Sequence, residues 1–199
     1  MGKKLEERVE TLEKLVGQLM GKQKFQVAGN IKIGDTFELI GLEWKVLDIT
    51  DKGYVCLAER LKESMQFDSD CNNWEKSDLR EYLNTEFYHT LAAAVGEENI
   101  IPFERDLWSL DGQTEYGTCE DKVSMLTVDE YRIYRELIPN TGNYWWWTIT
   151  PDTTACNGNS SWLRVVSPSG DVVSNDCDGN FGVRPFCIFS SPIFESEGQ

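Results

Sequence analysis

The chain has 199 residues, 40% hydrophobic and 12% aromatic, which is enough for the core of one substantial domain plus an appendage. Its formal net charge is −15, and residues 31–140 hold most of it, with 24 acidic against 11 basic side chains. Such a field repels phosphate backbones, so no nucleic acid is expected as a partner. The charged N-terminus has no continuous apolar run, so we expect no signal peptide, no membrane insertion and synthesis in the cytoplasm.

Residues 1–22 have the pattern of a coiled-coil oligomerisation helix. Apolar residues recur at alternating spacings of four and three at Leu5, Val9, Leu12, Val16 and Leu19. Leu15 and Met20 widen the apolar stripe, which favours a parallel trimer, with a dimer as the alternative. Because Gly17 and Gly21 weaken a free-standing helix, an amphipathic helix docked on its own domain is the second interpretation.

The next segment predicts a linker followed by a small antiparallel sheet. Residues 23–34 lose the helical periodicity and form the linker. Residues 37–49 then alternate apolar and polar side chains around a turn at Gly41, and residues 53–58 add a third extended run. The domain proper is expected to span residues 35–190, with a loose tail at 191–199.

Two helices are predicted in the middle of the chain. The first begins at Ser77-Asp78, keeps an apolar face from Leu79 to Val95 and ends at Gly96. The second runs over 127–137, because Thr127 and Glu130 have the spacing of a capping box. Residues 102–122 between them predict an irregular but structured loop.

The last third predicts two more strands and a final one. Residues 162–166 and 171–173 flank the turn sequence Ser167-Pro168-Ser169-Gly170, which predicts a hairpin. Residues 184–189 supply a last apolar strand. Strands first, helices in the middle and strands last indicate an α+β class in which both ends of the domain meet in one sheet.

A polar span lies between the three tryptophans Trp145, Trp146 and Trp147 and the sequence Gly-Val-Arg-Pro that ends at Pro185. Asn, Asp, Ser, Thr and Gly dominate these thirty or so residues, which therefore need a rigid scaffold to be ordered. Loops are polar in any protein, so this composition alone is also explained by ordinary turns. Trp145, Trp146 and Trp147 are expected to be core and loop support rather than a ligand platform, although one of them facing outward would be a ready contact. Arg184 is expected to bind main-chain carbonyls.

The order of these motifs resembles a known family. Trp146-Trp147, a proline at 151, the polar span, and Gly182-Val183-Arg184-Pro185-Phe186-Cys187-Ile188-Phe189 follow one another, and 44–48 and 73–88 agree upstream. Over residues 30–190 the chain resembles the C-type-lectin-fold variable proteins of bacteria and phages that diversity-generating retroelements diversify. Thr148-Ile149-Thr150 departs from the commonest pattern, Leu-Arg-Ser after the paired tryptophans.

The resemblance implies a C-type-lectin-like fold of two helices and small antiparallel sheets that keeps its scaffold and varies its surface at about residues 152–181. The chain would then be a phage tail protein or a cell-surface adhesin, on a phage virion or bacterial cell surface, that binds a protein or glycan ligand. Trp162 and Phe181 would supply flat apolar contacts. The implied ligand-binding residues are Asp152, Thr153, Asn157, Asn159, Ser160, Ser161, Trp162, Ser167, Ser169, Asp171, Ser174, Asn175, Asp176, Cys177, Asp178, Asn180 and Phe181.

The same residues argue against catalytic and metal-binding functions. The broad fold also resembles formylglycine-generating enzymes and iron-dependent sulfur oxygenases, but the chain has one histidine, His89, and no CxxC pair. A thiol site would need Cys177 and Cys187 together, and a calcium loop would need more oxygens than Asp176 and its neighbours offer. We therefore expect binding rather than catalysis, with no cofactor and no metal. A non-diversified structural virion or scaffold protein, and a formylglycine-generating type of enzyme, are the alternatives.

Overall fold

The structure is a computed structural model that describes residues 31–194. The predicted coiled-coil helix at 1–22, most of the predicted linker at 23–34 and the end of the predicted tail lie outside these residues. Within 31–194, no helix is long and apolar enough to cross a membrane.

The first sheet joins the two ends of the described chain. Its strand order is β1-β2-β3-β12-β5, and all its pairings are antiparallel. The strands are β1 (Thr36–Leu39), β2 (Leu42–Ile49), β3 (Tyr54–Ala58), β5 (Ile100–Ile101) and β12 (Phe186–Phe189). Ile40 and Gly41 connect β1 to β2 with φ angles of 52° and 74°, the left-handed pair that a two-residue hairpin requires. The predicted strands, and the prediction that both ends meet in one sheet, are confirmed.

The main helix runs from Asp78 to Val95 in three consecutive parts. These are α1 (Asp78–Tyr82), a π-helical turn (Leu83–Phe87) and α2 (Tyr88–Val95). The Ser77 side chain caps the start by accepting a hydrogen bond from the Arg80 N–H, and Gly96 ends the helix with φ 89°. Both predicted ends are confirmed.

The second sheet carries most of the polar span. Its order is β10-β9-β8-β11-β4, with one parallel pairing, between β11 and β8. The strands are β4 (Ser64–Met65), β8 (Trp146–Pro151), β9 (Trp162–Val166), β10 (Val172–Asp176) and β11 (Phe181–Gly182). The predicted hairpin is confirmed, and its second strand extends to Asp176.

A two-stranded ribbon and a short helix complete the described fold. The ribbon pairs β6 (Phe103–Asp106) with β7 (Thr118–Asp121), and α3 (Val128–Ile133) follows. The capping box between Thr127 and Glu130 is present, as predicted. Residues 102–122 were predicted to form an irregular loop, and this prediction is wrong at both ends of the segment, where β6 and β7 form. The inward residue Arg105 concealed the alternation of β6, because a charged side chain rarely points inward unless it is paired.

Two apolar clusters form the core. The larger one packs the main helix against both sheets and contains Trp44, Trp74 and Trp147. The smaller one lies beneath α3 and contains Trp146 and Tyr131. Short 3₁₀ helices occupy Trp74–Lys76, Glu97–Asn99, Arg135–Leu137, Ala155–Asn157 and Ser191–Ile193. The class is α+β with small antiparallel sheets, as predicted.

Arg184 occupies a structural position. Its side chain is buried, and its Nε donates a hydrogen bond of 3.1 Å to the carbonyl oxygen of Ala58. Its guanidinium carbon lies 5.2 Å from the centroid of the Trp146 ring. The predicted carbonyl contact is present, and it ties the end of the polar span to β3.

Candidate functional site

The hairpin β9–β10 brings five polar residues of the predicted span together around one exposed tryptophan. Cross-strand pairing sets Asp176 opposite Trp162 and Ser174 opposite Arg164, so these four side chains share a face of the sheet. Asp152, which follows β8, and Ser161, which precedes β9, reach the same face. We call this group the Trp162 patch; it consists of Asp152, Ser161, Trp162, Arg164, Ser174 and Asp176.

The polar side chains of the Trp162 patch hold one another in place. The Ser174 hydroxyl donates to Oδ2 of Asp152 at 2.6 Å, and the Ser161 hydroxyl donates to Oδ2 of Asp176 at 3.2 Å. Nε of Arg164 lies 2.6 Å from Oδ1 of Asp152, close enough for an ion pair, although the two atoms are not aligned as a hydrogen bond. Arg164 and Asp152 therefore present a balanced pair of charges, and the patch is ordered before any ligand binds.

The backbone of Trp162 is fixed while its ring remains exposed. Its carbonyl oxygen accepts hydrogen bonds from the Asp152 N–H at 3.0 Å and from the Asn72 side-chain amide at 2.9 Å. Oδ1 of Asn159 accepts from the N–H groups of Ser161 and Trp162. The residue nevertheless keeps 42% of its surface exposed. An exposed aromatic side chain on a fixed backbone has only two side-chain torsions left to order, so it offers contact area at little entropic cost.

The loop at residues 107–117 supports the patch through hydrogen bonds to residues 153, 154 and 156. Gln113 Nε2 donates to Oγ1 of Thr153 at 3.0 Å, and its Oε1 accepts a hydrogen bond from the Thr154 hydroxyl. Glu115 Oε2 accepts from the Cys156 N–H at 2.9 Å. This support was missed at the sequence level, where the loop's length was the only sign that it is structured.

Two carboxylates in this support titrate below their ordinary values. Hydrogen bonds from Ser109 and Thr153 lower the pKa of Asp111. The pKa of Glu115 is also lowered, by hydrogen bonds from Cys156 and Thr154. Asp111 additionally accepts from the Asn157 amide at 3.2 Å. Both groups are therefore acceptors at neutral pH and anchor the exposed 155–157 turn.

Asn72 links the supporting loop to the patch. The residue is fully buried, and its amide nitrogen donates to the carbonyl oxygens of Thr153 at 3.0 Å and Trp162 at 2.9 Å. Its Oδ1 accepts from the Tyr116 hydroxyl at 2.7 Å, and its N–H donates to the Ser160 carbonyl at 2.6 Å. One side chain thus fixes three segments that are far apart in sequence.

Three predicted residues lie at the opposite, turn end of the hairpin. The Ser169 hydroxyl donates to Oδ2 of Asp171 at 2.7 Å, and the Asp171 N–H donates to Oγ of Ser167 at 3.0 Å. They border a shallow depression of about 560 Å³ that also includes Trp145. We call it the Trp145 depression. Trp145 is 38% exposed, whereas Ser167 is buried and turned into the bend.

The end of the span departs from the prediction. Cys177 is fully buried within the larger core cluster, where burial raises its pKa to about 12. It therefore cannot serve as a surface contact. Phe181 is half-buried and packs edge-on against Trp147 with ring centroids 4.8 Å apart, on the far side of β8 from β9. It belongs to the scaffold rather than to the Trp162 patch.

The remaining predicted residues surround these groups without joining them. Asn157, Ser160, Asp178 and Asn180 are exposed in loops, whereas Asn175 is half-buried. Oδ1 of Asn175 accepts from the Asp176 N–H at 3.1 Å. The carbonyl of Asp178 accepts from the Gln66 amide at 2.7 Å. These contacts fix the backbone and leave the exposed side chains as peripheral surface.

Within the described chain, no group of three or more metal-ligating side chains contains His89 or two cysteines. Cys187 faces Cys56 across β12 and β3, and burial raises the pKa of both thiols well above the usual range. His89 is exposed on α2. Within residues 31–194, Asp68, Asp70 and Cys71 lie close enough to share a cation. Asp68 already accepts backbone N–H groups at both its oxygens, which is a loop-fixing role.

Comparison with known proteins gives one match. Residues 109–191 match a family described as a domain of unknown function (DUF6273). No curated protein and no solved structure matches the chain. The matched segment contains the whole Trp162 patch and most of the loop that supports it, but not Asn72.

Proposed function

We propose that this chain is a ligand-binding protein that recognises a protein or glycan on a cell surface through the Trp162 patch. The observation that carries the proposal is the exposed Trp162 ring, held among ordered charged and hydroxyl side chains. Buried aromatic anchors surrounded by satisfied polar groups dominate the energetics of binding surfaces. Carboxylates keep acceptor capacity beyond one hydrogen bond, so the patch can still accept donors from a ligand.

The hairpin also supports variation of the patch on a constant scaffold. Along β9, Leu163 and Val165 point into the larger core cluster, while Trp162 and Arg164 point to the opposite face. Outward side chains can therefore change without opening a cavity. We propose that the patch is a diversified surface of a C-type-lectin-like domain, which a trimer formed through residues 1–22 would present several times over, raising the avidity.

The genomic test concerns diversification alone. DNA beside the gene is sequenced and searched for a near-copy of the segment that encodes residues 145–185. The proposal expects mismatches at adenines of that copy, in the codons for Trp162 patch residues and not in those for Leu163 or Cys177. Absence of a copy, or mismatches spread equally over the buried codons, would contradict diversification and leave a binding domain with a fixed ligand.

The binding test uses the full chain. Fluorescently labelled protein is screened on a glycan array and on a panel of bacterial cells, and Trp162→Ala is then compared on whatever is bound. We expect at least a tenfold loss of affinity. Ile133→Ala removes another exposed apolar side chain, 73% exposed on α3, and should leave binding unchanged. Equal losses in both variants would indicate general hydrophobic adhesion and refute the site.

A further inference from the structure

Trp108 is the most exposed tryptophan of the described chain, and it lies outside the Trp162 patch, on the loop that supports the patch. It is 58% exposed and borders a cleft of about 500 Å³ between the β6–β7 ribbon and the start of α3. Leu110, which is 39% exposed, lies on the same cleft. We call it the Trp108 cleft. An aromatic and an aliphatic side chain left in water beside a concave surface offer apolar area for a partner to cover.

The side chains that border the Trp108 cleft come from β6 and the loop that follows it. From Glu104 to Leu110, even-numbered residues are exposed and odd-numbered residues are buried. Glu104 and Asp106 lie on the same face of β6, which ends at Asp106, and Trp108 and Leu110 follow in the loop. All four side chains line the Trp108 cleft, so two carboxylates and two apolar side chains form a stripe along it.

The charge of this stripe is not balanced within the described chain. Glu104 lies directly opposite Glu120 in the ribbon, and like charges at such a position destabilise a strand pair. The two arginines of the cleft are already used, since Arg105 pairs with Glu130 and Arg132 with Asp129. Among residues 31–194, no ion pair involves Glu104, Asp106 or Glu120. The surface is therefore complementary to a cation.

Arg105 does not offset this charge. Its side chain is 4% exposed; its two terminal nitrogens bind Glu130, and one of them also binds the Met125 carbonyl. Its Nε–H is buried without a hydrogen-bond partner in the described chain. The positive charge is therefore neutralised inside the fold, and Glu104 and Asp106 remain available to a cationic partner.

From these observations we propose that the Trp108 cleft docks a basic, extended segment of a partner protein. A Lys or Arg side chain would lie over the Trp108 ring as a cation–π contact, and further basic side chains would pair with Glu104, Asp106 and Glu120. None of the residues that line the Trp108 cleft belongs to the Trp162 patch, and docking there would tether the binding domain to a second protein.

The test uses the full chain and a hexalysine peptide with blocked ends, with blocked hexaglutamine as the uncharged control peptide. Affinity is measured by isothermal titration calorimetry at low salt, and the indole N–H signals of the tryptophans are followed by NMR. We expect binding of hexalysine only, with the Trp108 indole signal shifting most. Trp108→Ala should weaken binding about tenfold, and Glu104→Gln with Asp106→Asn about fivefold.

A matched control separates docking from the general attraction of an acidic protein for a basic peptide. Glu38 and Glu43 form the same like-charge pair across β1 and β2, and both are exposed. Glu38→Gln with Glu43→Gln removes two charges there and should change affinity less than twofold. Equal losses in the two double variants, an unshifted Trp108 signal, or no hexalysine binding at all would each overturn the proposal. Circular dichroism verifies that every variant is folded.

Discussion

The Trp162 patch and the Trp145 depression lie at opposite ends of the same hairpin and differ in how their polar groups are used. Their tryptophans are almost equally exposed, at 42% and 38%. At the Trp162 end, polar side chains of β9, β10 and the chain after β8 bind one another. At the turn end, Ser167, Ser169 and Asp171 bond mainly within the bend itself. Exposure of the tryptophan alone therefore does not distinguish the two ends.

The two ends also differ in what supports them from beneath. The Trp162 end rests on the 107–117 loop and on the fully buried Asn72. The turn end is held by the Tyr131 hydroxyl, which donates to the Gly170 carbonyl at 3.0 Å. Gly170 has φ 91°, so the bend is set by its own backbone conformation. One end depends on distant residues, and the other is largely local.

The largest expected effect distinguishes the support of the Trp162 end from that of the turn end. Asn72→Ala removes the buried hydrogen bonds to the Thr153 and Trp162 carbonyls and from the Tyr116 hydroxyl, and it should lower the free energy of unfolding by about 3 kcal/mol. Asn140→Ala, at an exposed residue of the turn end, should change it by less than about 0.5 kcal/mol. Urea unfolding of both variants measures the difference, and equal losses would contradict the claim that the two ends are supported differently.

A smaller effect is expected from Asp152→Asn. The change removes the ion pair between Asp152 and Arg164, whose side chains are 19% and 21% exposed respectively, and it nearly preserves the side-chain volume at position 152. Because both side chains retain some water, we expect a loss of about 1–2 kcal/mol in unfolding free energy. Ligand affinity should fall with it, since Arg164 and Ser174 lose their common partner. A variant that loses stability but retains full affinity would remove Asp152 from the binding surface.

Acid should loosen the support of the Trp162 end. The folded-state pKa values of Glu115 and Asp111 are lowered from their ordinary values of 4.5 and 3.8. The hydrogen bonds to these carboxylates therefore stabilise the fold fully at pH values above the ordinary ones. The stabilisation is lost as the pH falls through the lowered values. Amide exchange at 155–157 should therefore accelerate below about pH 4, corrected for the intrinsic rate. Glu115→Gln with Asp111→Asn should abolish this acceleration; its persistence would refute the assignment.

The smallest effect is expected from Ser169→Ala. The exposed hydroxyl binds Ser167 and Asp171, and its loss should cost about 0.5 kcal/mol or less in unfolding free energy. Ligand binding should not change. A marked loss of affinity would transfer the binding surface to the turn end and overturn the contrast between the two ends.

Features encoded by neighbouring residues were predictable from the sequence. The helix start at Ser77, its end at Gly96, the capping box at Thr127 and the hairpin turn all depend on contacts a few residues apart. Most of the strands of the first sheet followed from alternation around a glycine. These are the signals that a single sequence carries most directly.

Features that depend on distant contacts were not predictable. The Asn72 side chain binds residues 81 and 90 positions away, and nothing near it in sequence marks that role. Cys177 is buried because its backbone is held between Phe67 and Ser161. Residues at 152–181 were predicted as one surface, but the pleat of β9 and β10 and the turn at Gly170 divide them. Composition identifies a polar span, and only the pairing register shows which of its side chains meet.

The most direct test of the account compares two single variants on one ligand. Trp162→Ala and Trp145→Ala remove similarly exposed tryptophans, one from each end of the hairpin. The affinity of each variant for the ligand found by screening is then measured. The account predicts at least a tenfold loss for Trp162→Ala and less than a twofold change for Trp145→Ala. A loss confined to Trp145→Ala, or no loss in either variant, would contradict the assignment of binding to the Trp162 patch.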